Sequence, residues 1–437
     1  MKKKKAGNKA KAFEEEKFSL DDALREAARC LQCFDAPCTQ RCPASIPVPR
    51  FIRMTRSGNF CGAAEVVRAA HPLAHSCGEA CPAENMCQSV CTRGSVDFPV
   101  KIRDLHRFAT ARAAKAGERA PRASKRIGGK VAVIGGGPAG LSCARELSWA
   151  GVDVDLFEKQ GVVGGILVEQ IPSFRLAPGA VRRDVSGALG DSVVVKRRRE
   201  VTDVAALADG YDAVFVGAGA YGEASLGLPG ENLEGVMTSR DFLRELKKGK
   251  LRKPGNVVII GGGNVALDCG VAALRAGAKS AAIYYRRSFN QMPAWERELD
   301  MALGAGVELV MLSIPKAFVG AKGKLRGVRF LRAKLGRPGR DGRRLPVAVA
   351  KSEFHVPCDT AVLAAGQRVG RDLLKQLTGG TDGPGFNERT MNAWGRIFIG
   401  GDLAGRGTIV EAAGDGKRAA AAILNVIAKR KTARGKQ

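Results

Sequence analysis

Aromatic side chains are scarce in this 437-residue chain, at 5%, and no apolar run is long enough to cross a bilayer as a helix. The first scarcity bears on how the charge is read. Lys and Arg outnumber Asp and Glu by 71 to 43, a net +28 that favours acidic partners, nucleic acid or anionic surfaces. A nucleic-acid reader would cluster its basic residues and interleave aromatics. Here the charges are scattered, apart from Lys2 to Lys5, Arg122 to Arg126 and Arg197 to Arg199. An apolar signal region is also missing, because the Lys-rich start leads into an acidic helix; the expected location is the cytoplasm. Cysteine is thin where a redox disulfide would need it. Downstream of Cys91 only Cys143, Cys269 and Cys358 remain, with no C-x-x-C among them. The length exceeds what one compact core holds, and predicts about three domains.

The cysteine that is present is concentrated. Nine of the twelve fall between Cys30 and Cys91, which in a chain without an export signal reads as a metal pattern rather than a disulfide framework. A short helical pattern, LDDALREAARC, leads into CLQCFDAPCTQRCP, where Cys30, Cys33, Cys38 and Cys42 are spaced C-x2-C-x4-C-x3-C-P. This is close to the bacterial ferredoxin run, with a longer gap before the third cysteine. In two-cluster ferredoxins the fourth cysteine of the run serves the other cluster, so a second group is required. CGEACPAENMCQSVC supplies it with Cys77, Cys81, Cys87 and Cys91. Zinc is the alternative, but zinc ribbons pair two compact C-x2-C knuckles, and thiolate softness with this spacing favours iron-sulfur chemistry. Cys61 and Cys358 have no partner pattern, and Cys143 and Cys269 read as small packing residues on helices.

After a small, basic linker over residues 113–130, VAVIGGGPAG runs from an apolar strand through a Gly-rich turn into a helix. It predicts a dinucleotide cradle: Gly135 for the tight turn, Gly137 for close approach to a pyrophosphate, Gly140 for packing of helix on strand. The returning strand VDVDLFEK ends in Glu158, placed to bond a ribose diol. Gly164 and Gly165 in GVVGGILVEQIPSFRLAP permit close approach to a flat ligand, with Pro172 and Pro178 holding the loop. An ordinary surface loop is the alternative. A second cradle, VVIIGGGNVALDCG, has the form GxGxxA with Gly261, Gly263 and Ala266, so two nucleotides are expected. Its return strand ends in Arg286 and Arg287 where an NAD site carries an acid; cations there suit the 2'-phosphate of NADP, and a solvated turn is the alternative. Finally RIFIGGDLAGRGTIVEAAGDG closes a strand at Asp402 and starts a long Ala-rich helix near Thr408, whose N-terminus can stabilise charge developing on a reduced flavin.

Taken in order, these motifs resemble the glutamate synthase small-subunit family of iron-sulfur flavoproteins, which includes the flavoprotein subunit of bacterial dihydropyrimidine dehydrogenase. The cysteine region, from CLQCFDAPCTQRCPASIPVPRFIR through CQSVCTRGSVDFPVKI, is most similar to the dihydropyrimidine branch; VVIIGGGNVALDC and YYRRSFNQMPAW look more like glutamate synthase. The resemblance implies an α/β chain: an N-terminal α-helical iron-sulfur domain (1–125), an FAD domain (126–250 and 366–437) and an NAD(P)H domain (251–365), the last two Rossmann-like. It implies two 4Fe-4S clusters. Cys30, Cys33, Cys38 and Cys91 would hold the first, Cys42, Cys81 and Cys87 three corners of the second, while Cys77 matches a family cysteine that is not a ligand. The family's fourth corner is a Gln in LQ-x-F; this chain reads LHRF and places His106 there. Imidazole can bind iron in such clusters, and a solvated histidine is the alternative. FAD contacts are implied for Gly135, Gly137, Pro138, Ala139, Gly140, Glu158, Gly165, Leu167, Arg175, Asp402 and Thr408, and NAD(P)H contacts for Gly261, Gly263, Asn264, Ala266, Arg286 and Arg287.

The implied function is an electron-input subunit, in which NAD(P)H reduces FAD and the clusters carry single electrons to a partner. The chain ends soon after Ala428, so an FMN barrel or glutamine amidotransferase is expected on another polypeptide. A dihydropyrimidine dehydrogenase-like catalytic subunit is the expected partner, with the glutamate synthase large subunit as alternative. A basic nucleic-acid-associated protein with a structural cluster is the non-enzyme alternative.

Overall fold

The computed structural model describes residues 17–116, 127–220, 222, 225–339, 341–366, 369 and 385–434. Lys2 to Lys5 and Arg122 to Arg126 lie outside them. The chain forms two compact units, one of residues 169–172 and 222–368, the other of the remaining described residues. Among the described residues no helix is long and apolar enough to cross a membrane.

The larger unit begins with six helices: α1 (Leu20–Ala28), α2 (Pro37–Arg41), α3 (Val48–Arg56), α4 (Phe60–Ala70), α5 (Ala74–Ala80) and α6 (Ile102–Lys115). Local chemistry fixes several starts. Ser19 and Asp22 form a reciprocal capping box on α1, prolines open α2 and α3, and the Asn59 side chain accepts the Gly62 N–H at the head of α4. Phe51, Ile52, Leu73 and Leu105 are closed off from water, so α3, the start of α5 and α6 share one core.

The chain then builds β1 (Lys130–Ile134), α7 (Pro138–Trp149), β2 (Asp153–Glu158), α8 (Ile166–Glu169), α9 (Pro178–Ala188), β3 (Val193–Arg197), α10 (Val204–Ala208) and β4 (Ala213–Val216). The smaller unit follows, with β5 (Val236–Thr238), α11 (Ser239–Lys247), β6 (Asn256–Gly261), α12 (Asn264–Arg275), β7 (Ser280–Tyr284), α13 (Glu296–Gly304), β8 (Glu308–Val310), β9 (Ser313–Ala321), β10 (Lys324–Pro338), β11 (Arg344–Pro357) and β12 (Thr360–Ala364). Its main sheet is parallel throughout, in the order β5-β12-β6-β7-β8; β5 therefore belongs with the second cradle's sheet. Beside it stands an antiparallel sheet, β11-β10-β9, which no sequence motif announced. Phe330 on β10 stacks on Tyr284 with ring centroids 4.4 Å apart.

The final segment, β13 (Asn392–Trp394), β14 (Ile397–Ile399) and α14 (Ile409–Arg434), returns to the larger unit. Its sheet has the order β13-β14-β4-β1-β2-β3, parallel except for the β13–β14 pair. β1 and β4 are buried almost end to end, which explains why they read as unbroken apolar runs instead of alternating ones.

Candidate functional site

At the first cradle β1 passes into α7 through Gly135, whose φ of 93° and 2.5 Å approach of a virtual Cβ to the Gly217 oxygen leave room for no side chain. A Cβ on Gly140 would collide with the Gly135 carbonyl. Gly137 differs: nothing lies within 4 Å of its virtual Cβ. Two glycines are thus required by packing and the third opens the backbone to a ligand at the N-terminus of α7, where Pro138 takes the first helical position and costs no hydrogen bond. A Cβ on Gly165 would stand 2.9 Å from the Gly137 Cα, so the second Gly-rich loop lies against the cradle, with Leu167 buried behind it. Glu158, at the end of β2, accepts the Gly136 N–H at 2.9 Å through one oxygen and the Gln160 N–H at 2.7 Å through the other. Gly401 packs on Ala139, so the turn carrying Asp402 lies beside the same helix start. The Asp402 carboxyl is pushed up to about 6 by burial, with Glu411 adding to it. Thr408 caps α14 by accepting the Glu411 N–H and donating to the Glu411 carboxylate. Arg175 is half-buried in the loop before α9.

The second cradle repeats the pattern in the smaller unit. Gly261 is crowded by Ala364 and Gly262 by the Tyr285 ring, while Gly263 again faces open space at the start of α12. The Asn264 side-chain oxygen accepts the Trp295 N–H at 2.8 Å, and Ala266 is fully buried where a third glycine could stand. The structure separates the two arginines at the end of β7. Arg286 is exposed, whereas Arg287 is buried, donates to the Arg344 carbonyl at 2.9 Å and lies 3.8 Å from Asp341.

In the helical region Cys30, Cys33, Cys38 and Cys91 line one recess, walled by Val48, Pro49, Ile52, Val100 and Ile102. Cys38 is pushed up to about 11, first by burial and then, among other causes, by its cysteine neighbours Cys30 and Cys91. Crowded buried thiols of this kind ionise readily only against a cation. Among the described residues no three His, Cys, Asp or Glu groups converge closely enough to hold a single ion. Four cysteines lining one recess, with no single-ion site among the described residues, fit a polynuclear cluster better than a lone tetrahedral zinc.

Cys42, Cys81 and Cys87 form a second neighbourhood. Burial raises the thiols of Cys42 and Cys87, and the nearby Cys81 raises both further. α6 carries His106 into the core, 6% exposed, where its ring bonds the Ala74 carbonyl and burial pushes its pKa down to about 4. Nδ1 is the donor in that bond, since Nε2 has no hydrogen-bond partner among the described residues. A buried, unprotonated nitrogen with an unused lone pair is the state a histidine needs to bind metal. The chemistry of both donor sets therefore fits iron-sulfur groups.

Contacts that sequence inspection missed surround this second set. His71 Nε2 lies 2.8 Å from the Cys77 sulfur. Asp184 on α9 accepts the N–H groups of His75 and Ser76 at the head of α5, and burial pushes its carboxyl up to about 6. Arg145 on α7 donates to the Arg68 and Ala69 carbonyls, and Lys417 on α14 to those of Ala44 and Ala70. A cation at the C-terminus of α4 was legible in neither charge pattern nor spacing, since its partners stand 76 to 347 residues apart.

Two Gly-cradled, largely parallel sheets and a cysteine-bearing helical region define a two-dinucleotide oxidoreductase with an iron-sulfur module. The pyridine nucleotide-disulphide oxidoreductase family matches residues 129–419, and the 4Fe-4S cluster family of dihydropyrimidine dehydrogenase domain II matches residues 8–118. The chain belongs to the pyridine nucleotide-disulphide oxidoreductases, as an iron-sulfur member akin to glutamate synthase small chains. It is 33% identical over 436 residues to the glutamate synthase [NADPH] small chain of Escherichia coli (strain K12), covering 94% of this chain and 92% of that one. Identity is also 33%, over 411 residues, to the NAD-dependent dihydropyrimidine dehydrogenase subunit PreT of the same organism, covering 92% and 93%. The NADP(+)-dependent formate dehydrogenase subunit beta of Moorella thermoacetica is 36% identical over 421 residues; the match covers 89% of this chain but only 59% of that relative's length. Among solved structures, Mycobacterium tuberculosis FprA in complex with NADPH shares the fold, with a TM-score of 0.57 at 18% identity over 70% of this chain and 86% of that one.

Proposed function

We propose that this chain is a cytoplasmic electron-input subunit that takes reducing equivalents from NADPH and delivers them to a separate dihydropyrimidine dehydrogenase-like catalytic subunit. When bound, FAD supplies the conversion from hydride to single electrons, and two 4Fe-4S clusters supply the one-electron path onward. The chain's own residues do the rest. Gly137 and Gly263 admit the pyrophosphates to helix N-termini; Glu158 and Asp402 bond the FAD; the start of α14 offsets negative charge on it; exposed Arg286 takes the 2'-phosphate of NADPH. Cys30, Cys33, Cys38 and Cys91 hold the first cluster; Cys42, Cys81, Cys87 and the Nε2 of His106 hold the second. The observation that supports this reading best is the four-cysteine recess, with Cys42, Cys81 and Cys87 grouped nearby; the unpartnered Nε2 of buried His106 supports the proposed fourth ligand.

A glutamate synthase role is the second reading, favoured by a small chain matched over 92% of its length. Isolation of the native complex decides between them. An FMN-barrel subunit co-purifying with the chain supports the first; a large amidotransferase-bearing subunit overturns it in favour of the second.

A further inference from the structure

Cys77 sits among the second-set cysteines without having been assigned a role, and its surroundings give it one. Cys77 is buried, 2% exposed, on α5, one helical turn before Cys81. His71, fully buried, places Nε2 2.8 Å from the Cys77 sulfur, while its Nδ1 accepts the Leu73 N–H at 3.3 Å. With Nδ1 occupied as an acceptor, a neutral ring must carry its proton on Nε2, so His71 donates to Cys77. Cys81 follows one helical turn later, its N–H donating to the Cys77 carbonyl at 3.1 Å, so the two side chains are neighbours on one face of the helix. A sulfur that already accepts from an imidazole has one S–H of its own to give, and Cys81 is the acceptor beside it.

We propose that Cys77 is a positioning residue for the second cluster: held by His71, its S–H donates to the Cys81 thiolate and raises the cluster's reduction potential. The direction follows from charge. Reduction adds an electron that the ligand sulfurs share, and a hydrogen bond to such a sulfur stabilises the more negative, reduced state. Only the strength that the hydrogen bond gains on reduction shifts the equilibrium, and a tenfold shift is about 59 mV for one electron. This inference rests on Cys81 being a ligand of the second cluster, as proposed above.

The test uses the holoprotein with both clusters, each followed by its spectroscopic signal during a reductive titration. Cys77→Ala is expected to keep the full iron content and FAD, leave the first cluster's potential unchanged and lower the second by about 59 mV, the tenfold change above. Cys77→Ser, which restores a donor, is expected to recover most of the shift. His71→Leu, which removes the group that orients the thiol, is expected to move the potential in the same direction by less, and keeps the idea testable should Cys77→Ala fold poorly. An unchanged second potential in Cys77→Ala and His71→Leu overturns the proposal. Loss of the second cluster's iron from Cys77→Ala, with the protein still folded and flavin-loaded, overturns it as well and makes Cys77 a ligand. A wild type lacking a second cluster removes the ligand assignment itself, a failure visible before any variant is made.

Discussion

Cys30, Cys33 and Cys91 keep part of their surface in water, and Leu31, Phe34, Val96 and Phe98 on the neighbouring loops are exposed apolar side chains. Cys42 and Cys87, by contrast, are closed off; the same helical region buries His71, His75 and His106, and the half that carries the first cradle reaches in through Asp184, Arg145 and Lys417. Two cysteine sets of one short region thus differ in their surroundings, with Cys38 the buried member of the first and Cys81 the half-buried member of the second. The exposed set can present an edge to another protein, whereas the enclosed set is bonded to the elements that carry the first cradle. Solvent exposure and hydrogen bonds to sulfur are among the things that set cluster potentials, so the two clusters proposed above are expected to differ in potential.

The sharpest way to break the contrast is to remove one ligand from each set. Cys42→Ala should cost about four iron atoms and the enclosed cluster's signal while FAD and the exposed cluster remain; Cys38→Ala should do the reverse. Iron assay beside flavin absorbance checks this. Loss of both clusters from either variant would mean the sets are not independent. A smaller effect is expected at His106. His106→Gln, an amide with a comparable reach, should retain the iron and shift only the enclosed cluster's potential, whereas His106→Ala leaves an open corner and should lose roughly one iron from that cluster on gel filtration. Unchanged iron and potential in His106→Ala would return the imidazole to a packing role.

The smallest effect is on stability and concerns the bond between α9 and α5. Burial raises the folded carboxyl of Asp184 from 3.8 to about 6, so the folded state holds a proton that the unfolded chain releases. Its contribution is most favourable below pH 4 and is lost as pH rises through 6, by up to about 3 kcal/mol. Asp184→Asn should flatten that part of the profile, so denaturant midpoints at pH 5 and pH 7 should differ less in the variant than in the wild type. Equal differences in the two proteins would show that Asp184 does not titrate in this range.

Much of this was legible beforehand because it is local. Strand, Gly turn and helix follow one another within about ten residues at each cradle, and the cysteine spacings lie within single loops. What was not legible is carried by contacts distant in sequence. Adjacent Arg286 and Arg287 look equivalent in the chain, yet only folding shows that Arg344, 57 residues on, occupies Arg287. His71 and Cys77 are close enough to have been noticed, but the pair becomes meaningful only once the turn after α4 folds His71 back over α5. The antiparallel sheet β9 to β11 escaped because its strands mix basic and apolar residues with little of the clean alternation of a half-buried strand.

The central claim is that one chain holds two iron-sulfur clusters in unlike surroundings beside a flavin. Iron and labile sulfide measured against FAD in anaerobically purified wild-type protein, followed by an EPR-monitored reductive titration, test it most directly. The account predicts about eight iron atoms per FAD and two one-electron transitions at separate potentials. About four iron atoms with a single transition, or zinc in place of iron, would contradict it.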